Sequence, residues 1–245
     1  MIPDEDDFQL DFRSDVTVEL VKHSAADSDV LFAARVSTLG EQSLDELQKD
    51  PERSKGLINY LMRDRHGSPF EHNSMTFFIS APIFVFREFM RHRVGWSYNE
   101  ESGRYRELQP VFYVPGTSRK LVQEGRPGKY RFVEGSPEQH KLAREAMEDS
   151  YRRAYGTYRE MLAAGVAREV ARSVLPVGLF SSMYATCNAR SLMHFLGLRT
   201  QHELAKVPSF PQREIEMVGE KMEEEWARLM PLTYAAFNAN GRVAP

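Results

Sequence analysis

The sequence predicts a mixed fold, α+β or α/β, in which helices and strands are interleaved in one body. Three observations carry this. Val16, Val18 and Leu20 alternate with polar residues, the period of a half-buried strand. Tyr151, Tyr155, Tyr158 and Leu162 recur at helical spacing. Segments of the two kinds follow one another without the regular period of a doubly wound sheet.

Taken in order, Met1 to Asp15 carries six carboxylates and reads as a frayed acidic arm, leaving residues 16–245 as a single domain. Asp27 or Ser28 caps a helix through Ala34, and Pro51 opens a second, with Leu57, Ile58, Leu61 and Met62 on one stripe and Gly67 as its stop. Met75 to Ile79 reads as a buried strand, and Pro82 suits the first turn of a helix reaching Arg91. Val94 to Gln109 is polar and turn-rich, hence an exposed loop, and Val111 to Val114 is a short strand between prolines. Gly116 to Gly135 is the expected mobile connection. Ser136, Pro137 and Gln139 form a capping box that starts a long helix stopped at Gly165. A shorter helix spans Ala167 to Leu175, with Val170, Ala171 and Val174 on its buried side; Leu179 to Thr186 is a strand, and Asn188 caps a helix to Leu198. Two further helices start near Pro211 and Pro231.

Composition narrows the function. A chain of 245 residues with 42% hydrophobic residues buries a full core. One cysteine, Cys187, excludes an intrachain disulfide and a zinc site built on several thiolates. The net charge of -3 supplies no global field for nucleic acid or an anionic membrane, so any anion site is a local cluster. The acidic N-terminus is unlike a signal peptide, and no stretch approaches the roughly 18 apolar residues of a membrane span. The expected location is the cytoplasm. Arginines number 24 against 8 lysines, a ratio that genome composition produces unaided, although Arg also suits bidentate phosphate contacts.

Arg87 and Arg91, Glu88 and His92, Arg168 and Arg172, and Arg190 and His194 each stand four apart, on one helix face. Such pairs are ordinarily solvated faces or complements to a helix dipole. The loop after Arg93 nevertheless adds hydroxyls, an amide, carboxylates, Arg104 and two tyrosines, a set able to hold a polar aromatic ligand and its phosphate. No Gly-rich dinucleotide or P-loop motif, metal motif or nucleophile elbow is present, and the expected metal content is none.

Arg91-His92-Arg93 followed by Ser102-Gly103-Arg104-Tyr105 resembles the hallmark of flavin-dependent thymidylate synthases. Further ordered matches run from Ala33-Ala34-Arg35-Val36-Ser37 through Ser68-Pro69-Phe70-Glu71-His72 and Ala81-Pro82-Ile83-Phe84-Val85. They continue at Arg168-Glu169-Val170-Ala171-Arg172 and Asn188-Ala189-Arg190-Ser191-Leu192, and end at Leu198-Arg199. The resemblance implies the thymidylate synthase-complementing fold, a central sheet flanked by helices, in a homotetramer with active sites at subunit interfaces. It implies FAD as cofactor, dUMP as the substrate methylated to dTMP, 5,10-methylenetetrahydrofolate as carbon donor and NADPH as reductant. By matching position, Ser68, Arg91, His92, Arg93, Glu100, Asn188, Ala189, Arg190 and His194 contact the flavin. Glu88, Phe89, Met90, Arg91, Glu100, Glu101, Ser102, Gly103, Arg104 and Arg172 hold the nucleotide, with the Ser102 loop reaching a neighbouring subunit, and Arg199 polarises the uracil as the catalytic residue. His66 matches a histidine on the flavin and folate side. Eight residues separate Arg93 from Ser102 where the family has seven, an excess that a bulge near Gly95 absorbs. Glu88 stands where the family more often has Gln.

Cys187 has no sequence neighbour to activate it and reads as a buried small residue. Uracil C5 is then activated electrostatically by Arg199 instead of by a thiolate, and Ser102, which lacks a base, is a nucleotide contact. Two other readings stand beside this one. Arg91, Arg93, Arg104 and Arg106 interleaved with Trp96, Tyr98 and Tyr105 would make a single-strand-binding platform. A folate- and flavin-dependent uracil methyltransferase acting on RNA is the second.

Overall fold

The computed structural model describes residues 9–39, 51–126 and 129–245. In chain order the elements are β1 (Asp11–Arg13), β2 (Thr17–Ser24), α1 (Asp27–Leu39), α2 (Pro51–Arg63), β3 (Ser74–Pro82), α3 (Ile83–Phe89), β4 (Trp96–Glu100) and β5 (Val111–Tyr113). They continue with β6 (Val122–Arg126), β7 (Lys129–Val133), α4 (Pro137–Ala163), α5 (Arg168–Ala171), β8 (Phe180–Cys187), α6 (Ala189–Arg199), α7 (Arg213–Leu229) and α8 (Pro231–Ala239). Helices and sheets are mixed, as the sequence predicts. The backbone packs as two compact units. One holds the described residues through Val16 together with 81–86 and 101–181, and the other holds 17–80, 87–100 and 182–245.

The first unit is organised by α4. Its Ser136 N-cap accepts from the Gln139 N–H at 3.2 Å while the Gln139 side chain accepts from the Ser136 N–H at 2.8 Å, so the capping box forms as expected. Tyr151, Tyr155 and Tyr158 are buried with Leu10, Leu108, Phe112 and Leu179. The two inner hydroxyls are satisfied locally: Tyr155 donates to the Leu108 carbonyl at 3.0 Å and Tyr158 accepts from the Leu108 N–H at 3.2 Å. Gly165 ends the helix in the left-handed region, φ +83. β1 runs parallel to β5, in register Asp11 with Val111, so residues 11–13 of the acidic arm are ordered structure; residues 1–8 lie outside the described part. Within 116–135, β6 and β7 pair as an antiparallel hairpin, with Pro127 and Gly128 outside the described residues.

The second unit is built on a four-stranded sheet ordered β2-β3-β8-β4. Met75, Phe77 and Ile79 are fully buried and alternate with half-buried Thr76 and Phe78, so one face of β3 supplies core. Trp226, Val218 and Met222 of α7 and Phe237 of α8 are also fully buried. Asp27 caps a different helix from the one expected. Its carboxylate accepts from the N–H groups of Leu232 and Thr233 and from the Thr233 hydroxyl, satisfying the first turn of α8.

Several boundaries differ from the sequence reading for identifiable reasons. Pro82 ends β3 and does not open the following helix, because the Ile83 and Phe84 N–H groups donate to the Leu179 and Val177 carbonyls. The helix then stops at Phe89, short of Arg91, as the Arg91 and His92 N–H groups bond three residues back to Glu88 and Phe89. The stretch read as an exposed loop contains β4, antiparallel to β8 in register from Trp96 with Cys187 to Glu100 with Met183. α2 ends at Arg63 and not at Gly67, with Arg65 taking the left-handed turn, φ +63. After α5 the chain tightens into a 3-10 turn, Arg172–Val174, which leaves Val170 and Val174 54% and 39% exposed; only Ala171 of that trio is buried.

Candidate active site

An aromatic cluster in the second unit shapes the turn between α3 and β4. Trp96 and Tyr98 lie two apart on one face of β4 and stack at 5.7 Å. Phe89 meets both edge-on and lies 4.5 Å from Phe195 of α6. The Tyr98 hydroxyl reaches the His92 carbonyl at 2.7 Å and the Phe89 carbonyl at 3.2 Å, tying the Arg-His-Arg turn to the strand. Gly95, φ +69, makes the reversal into β4, and a side-chain carbon there would stand 2.1 Å from the Ser191 Oγ. The β4–β8 ladder runs without a register shift from Trp96 to Glu100, so no bulge lies within it and Gly95 stands just before its first pair.

Three polar side chains meet at this turn: Glu88 from the end of α3, His92 from the turn itself and Arg199 from α6. Arg199, the last residue of α6, donates from Nη1 to a Glu88 oxygen at 2.5 Å and from Nε to His92 Nε2 at 3.1 Å. An arginine is always a donor, so His92 Nε2 accepts and the ring proton sits on Nδ1. Burial, then the Arg199 cation and to a lesser extent His194, push the His92 pKa down to about 4, keeping the ring neutral at ordinary pH. Burial also raises the Glu88 carboxyl; Arg199 acts in the opposite sense without offsetting it, and Glu214 adds to the rise. The result is a guanidinium oriented by one carboxylate and one imidazole, with its remaining donor edge close to the Glu88 carbonyl, 3.5 Å from Nη2.

A second cluster lies toward the start of α6, about 13 Å from Arg199 at helical rise. The Asn188 side chain accepts from the Ser191 N–H at 2.9 Å and so caps α6 as expected. The Ala189 N–H donates to Asn73, and its side chain is buried. Arg190 donates to Glu71 at 2.5 Å and to the Pro245 carbonyl at 2.7 Å, and it packs so closely on Gly67 that a side-chain carbon there would lie 2.5 Å from its Cζ. His194 is held toward its neutral form by burial, then by Arg190 and Arg65. Ser68 begins the adjoining 3-10 turn, and Arg91 and Arg93 are exposed, a donor set suited to an anionic group. His66 packs edge-on against Tyr60 at 5.6 Å.

The nucleotide candidates divide. Glu88, Phe89, Met90, Arg91, Glu100 and Arg199 belong to the second unit, whereas Glu101 to Arg104 and Arg172 belong to the first. Phe89 is fully buried, which leaves only its main chain for a ligand. In the first unit Gly103 is buried against Leu108 and Arg172, where a side-chain carbon would meet Arg172 Cδ at 3.2 Å. Arg104 pairs with Glu169 at 2.9 Å, and the Ser102 carbonyl accepts from the Tyr105 and Arg106 N–H groups. Trp96 and Tyr98 are committed to the internal cluster, so the stacking platform of the single-strand reading loses two of its three rings. Glu71, the partner of Arg190, had no role in the sequence reading; Tyr98 and Gly95 were read there as a stacking ring and a bulge, not as the tie and the reversal of the Arg-His-Arg turn. Trp-Ser-Tyr-Asn-Glu is itself an alternating pattern and was the available signal for β4.

Cys187 is 2% exposed and burial raises its thiol far above the usual range, so it is no ready nucleophile. Among the described residues no group of three or more His, Cys, Asp or Glu is arranged to hold a metal, and no helix is long and apolar enough to cross a membrane.

Comparison with known proteins gives the family. The family model "Thymidylate synthase complementing protein" matches residues 19–232. Flavin-dependent thymidylate synthases of Streptomyces avermitilis and Streptomyces coelicolor are 89% and 87% identical over 240 residues, covering 98% of this chain and 98% of each relative. That of Tropheryma whipplei is 60% identical over 236 residues, covering 96% of this chain and 97% of the relative. The solved UMP/dUMP methylase PolB of Streptomyces cacaoi, bound with 5-Br UMP, superposes with a TM-score of 0.89 at 56% identity, covering 96% of this chain and 99% of that one. Over nearly its whole length, then, this chain belongs to the flavin-dependent thymidylate synthase family.

Proposed function

We propose that the protein converts dUMP to dTMP by reductive methylation, with 5,10-methylenetetrahydrofolate as carbon donor, NADPH as reductant and FAD as the bound cofactor. The observation that carries this is the Arg199 guanidinium, presented at the end of α6 by Glu88 and His92 in a chain whose only cysteine is buried. Uracil C5 becomes nucleophilic when negative charge on the N3 and carbonyl side of the ring is stabilised, and a preoriented guanidinium supplies that stabilisation without reorganising. Neutral His92 accepts from Arg199 and does not compete with it for the anionic ring.

The exposed Arg91 and Arg93 offer donors that fit the phosphates of a flavin dinucleotide, and Arg190, held in place by Glu71 and the Pro245 carbonyl, joins His92, His194, Ser68 and Asn188 as further flavin contacts. When bound, the flavin supplies the hydride that turns the transferred methylene into a methyl group. Ser102, Gly103, Arg104 and Arg172 hold the nucleotide from the loop, which in a homotetramer reaches a neighbouring subunit's site. The location is the cytoplasm, and neither nucleic acid nor membrane is a partner.

The visible spectrum of the purified protein tests the reading: flavin bands perturbed by dUMP are expected, and Arg199→Ala should lose at least about 100-fold in turnover while retaining flavin. A colourless protein, or one binding oligonucleotides in place of dUMP, refutes it. A second reading concerns the sugar, because the solved relative is a UMP/dUMP methylase seen with both 5-Br UMP and 5-Br dUMP. Comparing turnover of UMP and dUMP separates the two.

A further inference from the structure

The last turn of α6 is clamped from outside the site by a buried arginine whose two terminal nitrogens each make two hydrogen bonds. Arg242 has a side chain only 1% exposed. Its guanidinium bonds both oxygens of Glu223, at 2.6 and 2.7 Å, and Asn238 at 2.8 Å. The fourth bond runs from Nη2 to the Thr200 hydroxyl at 3.1 Å. Thr200 follows Arg199 directly and is the C-cap of α6; its hydroxyl in turn donates to the Leu196 carbonyl at 2.8 Å. A cation is thereby coupled to the carbonyl end of the helix, where it complements the dipole. The backbone closes the clamp a second time, since a side-chain carbon on Gly197 would lie 3.2 Å from the Arg242 carbonyl.

The geometry of Arg242 itself is unusual. It sits at φ +54, after Gly241 at φ +76, with its N–H bonded to the Phe237 carbonyl at 2.9 Å. A non-glycine residue in that region is sterically disfavoured and persists where its surroundings hold it. On the other side of Thr200, a side-chain carbon on Gly219 would stand 2.7 Å from the threonine methyl, so α7 backs the cap closely. Ser209 donates to the Thr200 carbonyl at 2.5 Å.

We infer that Arg242, acting through Thr200, is a positioning residue for Arg199: the pair fixes the C-terminal turn of α6 so that the Arg199 guanidinium meets the uracil in one orientation. This rests on the role proposed above for Arg199. Every contact concerned lies within the second unit. Preorganisation of this kind affects the transition state more than ground-state binding, so its loss lowers kcat and kcat/KM together and leaves KM nearly unchanged.

The decisive variant is Thr200→Val, which keeps shape and removes the hydroxyl. At unchanged flavin content and circular dichroism, kcat is expected to fall at least tenfold, KM for dUMP to move less than twofold, and Thr200→Ser to recover activity to within threefold of the parent. Adding Thr200→Val to Arg199→Lys should lower the remaining turnover less than twofold, because the oriented group is already altered. Should Thr200→Val fail to fold, Arg242→Lys, which keeps a cation beside Glu223 without the planar fork that reaches Glu223 and Thr200 at once, carries the same comparison. Full kcat in the folded variant, or the same tenfold loss repeated in the Arg199→Lys background, overturns the inference while leaving the role of Arg199 intact. Undiminished turnover in Arg199→Lys alone would instead remove that role and the positioning built on it.

Discussion

His92 ties stability to pH in a direction opposite to that of a histidine gaining an acidic partner. Its folded pKa is about 4 against an ordinary 6.5, so between those values the unfolded chain binds the proton more readily. Stability therefore falls as pH drops through this window and is constant above it. The full shift corresponds to about 3.4 kcal/mol. Between pH 7 and pH 5 about half of that is felt, and solvent access to the half-buried ring reduces it to about 1 kcal/mol. In a chain of this length that is about 2–4 °C in Tm. His92→Gln provides the comparison, since its amide oxygen still accepts from Arg199 Nε but does not titrate in this range. The raised Glu88 carboxyl contributes in the opposite sense, favouring the folded chain at low pH, but it is present in both proteins and drops out of the difference. Thermal unfolding at pH 7 and pH 5 should show the parent losing those extra degrees relative to His92→Gln. Equal pH slopes, or a steeper one in the variant, would refute the assignment of a neutral, accepting imidazole.

Two further outcomes follow from packing. Cys187→Ala should keep turnover within about twofold and cost about 1 kcal/mol or a little more in stability, as the sulfur is buried and unused; a 100-fold loss in a folded, flavin-loaded variant would restore a covalent route. Gly95→Ala should destabilise by about 2–4 kcal/mol, combining a left-handed backbone with displacement of Ser191, whose hydroxyl bonds the Val94 carbonyl at 3.0 Å. Gly56→Ala, with open space around it in α2, is the control and should be neutral or stabilising by up to about 1 kcal/mol in the same melt.

Local chemistry was legible and long-range chemistry was not. The Ser136–Gln139 box and the Asn188 cap are complete within four residues, so the sequence holds both partners side by side. α3 was overextended at both ends: its first amides bond to carbonyls more than 90 residues away, which no helix signal reports, and its last turn tightens to bonds three residues back. β4 was missed because it is an edge strand with polar Ser97 and Asn99 on one face, and Glu100 follows Trp96 and Tyr98 on the other, so the short alternation reads as a polar loop. For the site, the resemblance supplied Glu88, His92 and Arg199 as separate candidates. Their direct bonding, across 107 and 111 residues, and the supports from Tyr98 and Arg242 arise only from tertiary packing.

The five-residue ladder between β4 and β8 also governs where this chain tolerates a change of length. Side chains on a strand alternate, so one residue inserted or deleted within Trp96–Glu100 would turn the two stacked rings toward the opposite face and present Ser97 and Asn99 to the core. Length variation is thereby confined to the ladder's ends, at the Gly95 reversal or beyond Glu101. Engineering of the Ser102 loop, whether by grafting or trimming, should place its first junction beyond Glu101 and leave the strand before it untouched.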